Sequence, residues 1–243
     1  DTPMKNVVVL ILSILVLVGS LNSQTLTEEA KTRAQQVEVE NQPRADLGNG
    51  YYQNPIMAGD YPDPTIVRVG EDYYMAFTRR VGILLWHSRD LVNWRPNVRH
   101  TFDDLEGILA LDLQYFDGKF HIFMPVGSWP GKAEERYPPN RANFVITAEN
   151  PEGPWSEPIR VDRDPIEDDL YVGNDPGFIQ TPEGKKYLHT DVGFVMPLSD
   201  DGLRVTGPAE LVYDGWEYPK DWIVEAKGLE SPKLFFNNGF YYM

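Results

Sequence analysis

The chain has 243 residues, 42% of them hydrophobic and 12% aromatic, enough apolar surface for a core in one or two domains. A formal net charge of −15 excludes partners that present phosphate, so nucleic acid and anionic membrane surfaces are set aside in favour of a neutral ligand. With no cysteine, disulfides, thiolate metal sites and cysteine catalysis are excluded, and the four histidines show no ligand spacing.

In chain order, residues 1–23 read as an export signal preceded by three extra residues, Asp1-Thr2-Pro3, upstream of an initiating Met4. Lys5 supplies a short positive region, Val7 to Val18 an apolar run, and Gly19-Ser20-Leu21-Asn22-Ser23 a small-residue exit. The apolar run is shorter than the roughly 20 residues a membrane span needs, so the mature protein is expected to be periplasmic or secreted, with no membrane association once the signal is removed. Residues 24–50 read as a helical lead-in, with a helix from Thr25 to Gln42 opened by the capping box Thr25-Leu26-Thr27-Glu28.

From residue 51 onward the chain repeats one pattern four times: an acid, a short apolar run, a Gly turn, then an aromatic strand. Asp63-Pro64-Thr65-Ile66-Val67-Arg68-Val69-Gly70 leads into Tyr73-Tyr74-Met75-Ala76-Phe77. Asp112 precedes a turn at Asp117-Gly118, Asp175 a turn at Glu183-Gly184, and Glu230 a turn at Asn238-Gly239. In all four the acid stands six to nine residues before the Gly. The turn glycines fall 48, 66 and 55 residues apart, a spacing that suits four-stranded blades with variable loops and therefore an all-β propeller. In a propeller the first strand of each blade lines the axis and all of these strands run the same way. Acids at their starts should then meet at one mouth.

Blade one is expected over about 65–100, with outer strands near Ile83–Ser88 and Trp94–Arg99; blade two over about 110–161; blade three over about 176–213; a fourth begins near Pro232. The sequence stops at Met243 inside an aromatic strand pattern, so the expectation is a fragment that lacks most of one blade and at least one more. Such a piece should be poorly active and prone to associate. Segments that follow second strands sit at the acid end: Thr78-Arg79-Arg80, Val126–Arg141 and Thr190-Asp191 should select the substrate, with Arg80 and Trp129 as candidate substrate-binding residues. Asp112 is a further candidate, since its spacing fits either a sugar hydroxyl or a tie between inner strands. His87 is expected to satisfy a backbone group between blades.

The run Asn54-Pro55-Ile56 through Gly59-Asp60-Tyr61-Pro62-Asp63-Pro64-Thr65 and the segment Trp86-His87-Ser88-Arg89-Asp90-Leu91-Val92-Asn93-Trp94 resemble the first blade of family 43 glycoside hydrolases. In the same order as that family's later motifs come Gly153-Pro154-Trp155, Asn174-Asp175-Pro176-Gly177-Phe178 and Glu230-Ser231-Pro232-Lys233-Leu234. The resemblance covers about residues 54–243. It implies a five-bladed propeller, partly present here as a catalytic domain over 51–243, of an inverting glycosidase acting on arabinose- and xylose-containing carbohydrates. Residue by residue, it implies Asp63 as the general base, Asp175 as the acid that modulates its neighbour's pKa and orients it, and Glu230 as the general acid.

The chemistry of the residues is consistent with that resemblance. Two carboxyls across a sugar are the minimum set for cleaving a glycosidic bond, one to protonate the leaving oxygen and one to activate water or attack carbon. A third carboxylate near the acid keeps it protonated by like-charge repulsion. No cofactor is required for this, no metal ligands are assigned, and a structural calcium, which the resemblance places in later blades, is left open. Where the family often has Trp-Ala-Pro before an acid or histidine, this chain has Leu109-Ala110-Leu111-Asp112, a departure that bears on substrate class. Glu225, five residues before Glu230, lacks the Ser-Pro-Lys-Leu run and reads as a loop carboxylate. Two other readings stand beside this one. A non-catalytic carbohydrate-binding propeller would keep the loops without needing all three acids. A retaining, sucrose- or fructan-acting propeller hydrolase shares Arg163-Asp164-Pro165 and Asn174-Asp175-Pro176-Gly177, but in reversed order and without its Glu-Cys acid motif.

Overall fold

The structure is a computed structural model, and it describes residues 42–79, 82–103, 105–127, 142–161, 173–191, 193–213, 215, 219–223 and 230–243. The expected signal segment, the expected helix apart from its last residue, and both Arg80 and Trp129 lie outside the described residues. The chain divides into two compact units, Asp1–Gly59 and Asp60–Met243. In the first, Asp46 and Tyr52 pair in an antiparallel bridge. The Gln42 side chain closes the segment by bonding both the N–H and the carbonyl of Ala58, at 2.9 and 3.1 Å.

The second unit is all β among its described residues. Its first sheet is β1 (Thr65–Val69), β2 (Asp72–Ala76), β3 (Ile83–Ser88) and β4 (Arg95–His100); its second is β5 (Asp112–Phe116), β6 (Lys119–Val126), β7 (Ala142–Ala148) and β8 (Ile159–Arg160). The third is β9 (Gly177–Gln180), β10 (Lys186–His189), β11 (Phe194–Pro197) and β12 (Glu210–Leu211), followed by a hairpin of β13 (Phe235–Asn237) and β14 (Phe240–Tyr242). Each four-stranded sheet is an antiparallel meander, paired in sequence order. Turn chemistry fixes the registers. Asp117-Gly118 and Asn238-Gly239 both have positive φ at the two central positions, the mirror-image turn whose twist matches that of the flanking strands. They set Phe116 opposite Lys119 and Asn237 opposite Phe240.

The sheets pack face to face, and the period-two alternation of a strand explains how. Phe120, Ile122, Met124 and Val126 of β6 join a core that includes Ala76, Ile83 and Leu85 of the first sheet. The intervening Phe123 points the other way, into a core with Phe178, Leu188 and Met196 of the third. Because the second sheet is covered on both faces, β6 and β7 read as nearly unbroken apolar runs rather than as alternating strands. Between the second and third sheets the rings of Phe116 and Phe178 stack at 4.4 Å, and His121 stacks on Phe116 at 3.6 Å. Burial holds His121 well below its usual range, at about 4, so it is a neutral member of that column.

Inner strands follow one another: β1 lies against β5, β5 against β9, and β9 against β13. At Gly177 the approach is so close that a Cβ would collide with the Pro232 carbonyl and the Leu234 side chain. Glycine there lets the segment ahead of β13 sit beside β9. The motif Ser88 to Trp94 is a turn closed by its own side chains. Asp90 Oδ1 accepts from the backbone N–H groups of Val92 and Asn93 at 2.9 and 2.7 Å, and the Trp94 indole donates to the Leu91 carbonyl at 3.0 Å.

Candidate active site

Four residues with left-handed backbone mark the same place in the four sheets: Asp63 (φ 53°), Ala110 (36°), Asp175 (53°) and Ser231 (46°). The corresponding triplets are Asp63-Pro64-Thr65, Ala110-Leu111-Asp112, Asp175-Pro176-Gly177 and Ser231-Pro232-Lys233. Aspartate tolerates this conformation better than most residues; alanine and serine do so at about 1–2 kcal/mol and must be held there by their surroundings. The equivalence corrects two registers: in the fourth sheet the position matching the two aspartates is Ser231, one residue after Glu230. Asp112 is the counterpart of Thr65, not of Asp63, and the position matching the two aspartates in the second sheet is Ala110.

The first three of these turns each end at the first residue of an inner strand, and hydrogen bonds bring their side chains together. Thr78 donates its hydroxyl to Asp63 Oδ2 at 2.6 Å, and the same hydroxyl oxygen accepts the Ala110 N–H at 2.6 Å. Ser231 bridges the two aspartates, with its hydroxyl 3.4 Å from Asp63 Oδ1 and its backbone N–H donating to Asp175 Oδ2 at 3.3 Å. Glu230 is exposed and joined by a peptide bond to that bridge. Asp63, Asp175 and Glu230 are thus gathered at the starts of three different inner strands.

Asp175 carries the electrostatic signature of the cluster. Burial pushes its carboxyl up to about 6, the negative charges of Asp191, Asp63 and Glu230 push the same way, and the Ser231 N–H opposes them. Behind it, Asp191 and Asn174 exchange two hydrogen bonds, Asn174 N–H to Asp191 Oδ1 and Asp191 N–H to the Asn174 carbonyl, both 2.9 Å. Asp191 lies in a loop expected to select substrate; here it holds the residue next to Asp175.

Asp112 is fully buried, and its carboxyl accepts from the Thr65 hydroxyl at 3.3 Å, the Gln114 amide at 3.0 Å and the Phe178 N–H at 2.7 Å. Of the two roles its spacing allowed, this geometry is that of a tie between inner strands; a sugar hydroxyl has no access to it. Burial raises its pKa, against the nearby positive charge of Lys233. His87 also differs from expectation: its Nε2 meets Asp72 Oδ1 at 2.7 Å on the adjacent strand, not a backbone group between blades. Among the described residues no group of three or more His, Asp or Glu is arranged to hold a metal ion.

Thr78 and Ser231 carry no motif that marks them as partners of the acids. Ser231 was legible by one signal only, the Ser-Pro that repeats Asp63-Pro64 and Asp175-Pro176. Thr78→Val removes the hydroxyl donor to Asp63 and the acceptor for Ala110. A hydrogen bond to a charged group is worth about 1.5–3 kcal/mol, so kcat of the full-length protein should fall about 10–100-fold with little change in KM. Steady-state kinetics on an aryl xyloside would show it, and an unchanged kcat would mean that Asp63 is held without Thr78.

The family model for Glycosyl hydrolases family 43 matches residues 52–243. A xylan 1,3-beta-xylosidase of Vibrio sp is 34% identical over 218 residues, covering 79% of this chain and 37% of that protein. A non-reducing end alpha-L-arabinofuranosidase of Bacteroides ovatus is 34% identical over 161 residues, covering 58% of this chain and 26% of that protein. Among solved structures, the GH43 BlXynB protein of Bacillus licheniformis superposes with a TM-score of 0.62 at 28% identity, covering 78% of this chain and 37% of that one. This chain therefore spans little more than a third of the length of several relatives it matches. The family model covers well over half of the sequence, and the chain belongs to glycoside hydrolase family 43.

Proposed function

We propose that the protein containing this chain is a glycosidase that cleaves xylose- or arabinose-containing carbohydrates in a single displacement with inversion, with Asp63 as base, Glu230 as acid and Asp175 as the residue that tunes and orients the acid. The supporting observation is the Ser231 bridge, which ties Asp63 to Asp175 directly beside Glu230. Asp63, held by Thr78, is oriented to take a proton from water; exposed Glu230 is free to meet a leaving oxygen; partly buried Asp175 adds negative charge beside both. The names of the relatives, xylosidase and arabinofuranosidase, favour pentose substrates. In this reading the fold is completed to a five-bladed propeller by sequence beyond the matched third, and the protein acts outside the cytoplasm.

The anomeric form of the first-released sugar tests the mechanism. Proton NMR of the full-length protein turning over an aryl β-xyloside should show the α-anomer first, because an inverting site separates its carboxyls by roughly 6.5–9.5 Å to admit water. First appearance of the β-anomer would replace this mechanism with a retaining one. No turnover of any aryl xyloside or arabinoside, with sugar binding intact, would favour a carbohydrate-binding propeller.

A further inference from the structure

At the left-handed position the second sheet places Ala110, in register with Asp63 and Asp175. Two residues on, that sheet places a carboxylate in the interior instead. Asp112 Oδ1 takes the hydroxyl of Thr65, two residues after Asp63, and its Oδ2 takes the N–H of Phe178, three residues after Asp175. Thr65 is fixed in turn, since its hydroxyl oxygen accepts the Leu113 N–H at 3.1 Å. The remaining donor, the Gln114 amide at 3.0 Å, comes from the same strand as Asp112 and completes the carboxyl's partners.

We propose that Asp112 is a positioning residue, a buried carboxylate that fixes the spacing of Asp63 and Asp175 by binding Thr65 and Phe178 from the sheet between them. The inference rests on the glycosidase reading for its kinetic consequence but not for its structural one. A buried anion is tolerated only with donors and a counter-charge. Lys233, three residues after Glu230, supplies that charge; its ammonium is buried and makes no hydrogen bond among the described residues. The third acid-bearing segment is therefore drawn toward Asp112 by charge, while the other two are bound by hydrogen bonds. Substitution by asparagine keeps the shape but turns one acceptor edge into a donor, so the Thr65 hydroxyl, which already accepts the Leu113 N–H, can no longer donate there and must turn. It also leaves the Lys233 ammonium buried without its anion.

Two variants of the full-length protein test this, each read by kinetics and by crystal structure. Asp112→Asn should lower kcat about 10–100-fold, the loss that a displacement on the order of an ångström produces, with KM changed less than about twofold. In its crystal structure the Ser231 contacts to Asp63 and Asp175 should open. Adding Lys233→Met, which removes the stranded ammonium, should restore part of the thermal stability but not the kcat. Thr65→Val is the milder variant, retained in case Asp112→Asn does not fold: it cuts the link to the segment of Asp63, together with the Leu113 N–H bond to the same hydroxyl, and leaves the Phe178 link in place, so the Asp63 to Ser231 contact should open while Asp175 to Ser231 persists. An unchanged kcat per folded molecule, a rise in KM alone, or both Ser231 contacts intact in Thr65→Val would overturn the proposal. If the unmutated protein hydrolyses no glycoside, the functional reading fails, and the crystallographic contacts still decide whether Asp112 sets the spacing.

Discussion

Asp63→Asn is expected to lower kcat of the full-length protein by about 10²–10⁴-fold, the usual contribution of a positioned general base, and by the same factor for every leaving group. Asparagine accepts the left-handed backbone that Asp63 adopts and keeps an oxygen for the Thr78 hydroxyl, so the loss reports the missing base and not a collapsed turn. Glu230→Gln should behave differently. A xylo-oligosaccharide, whose leaving alkoxide needs a proton, should suffer the full loss; a nitrophenyl xyloside, whose leaving group departs unprotonated, should be spared most of it. Parallel kinetics on the two substrates decide the assignment. If Glu230→Gln slows both equally, Glu230 is not the proton donor, and Glu225 becomes the next carboxyl to substitute.

Much of the fold was legible because the turns announce themselves. Asp117-Gly118 and Asn238-Gly239 are the pairs that tolerate two successive positive φ angles, and β3, expected near Ile83–Ser88, is found over those residues. Outer strands were less legible, since β8 and β12 are two residues long and their sequence carries no alternation. The site was legible where motif and backbone coincide, at Asp63-Pro64 and Asp175-Pro176. It was misread at Asp112 for a specific reason: measuring from the turn glycine tolerated a slip of two residues, which preserves the inward or outward sense of a strand and so left no contradiction in the pattern. Aligning on the residue before proline places Ser231 in the series with Asp63 and Asp175, and the left-handed position itself adds Ala110 and leaves Asp112 outside it.

What sequence alone does not carry is which polar side chains hold the acids, because a hydroxyl donor in a loop has no periodicity to give it away. Thr78 and Asp191 lie in segments that follow second strands, the segments expected to face substrate. Two of those three segments send a side chain inward to an acid-bearing turn, Thr78 to Asp63 and Asp191 to Asn174. The same loop position thus serves orientation, and a variant at either residue should be read for kcat before it is read for specificity.

The second large effect concerns Asp175, where activity and stability should move in opposite directions. Its carboxyl is raised to about 6 by burial and by the charges of Asp191, Asp63 and Glu230, against an ordinary value of 3.8. A folded-state pKa above the unfolded one means that the native protein holds the proton more tightly. The resulting stability is fully present below about pH 4 and is lost as pH rises through about 6. Asp175→Asn replaces the carboxyl with a neutral group of the same shape that tolerates φ 53° and can turn its oxygen to the Ser231 N–H. At pH 4 the variant and the unmutated protein should melt together, since both are neutral at this position. By pH 7 the variant should melt higher, because the other three carboxylates no longer face a fourth charge, while its kcat falls for want of the residue that tunes Glu230. Thermal melts at both pH values, beside kinetics, check the pairing of effects. A variant that melts lower at pH 7, or by the same margin at both pH values, would show that Asp175 is not held against its own charge.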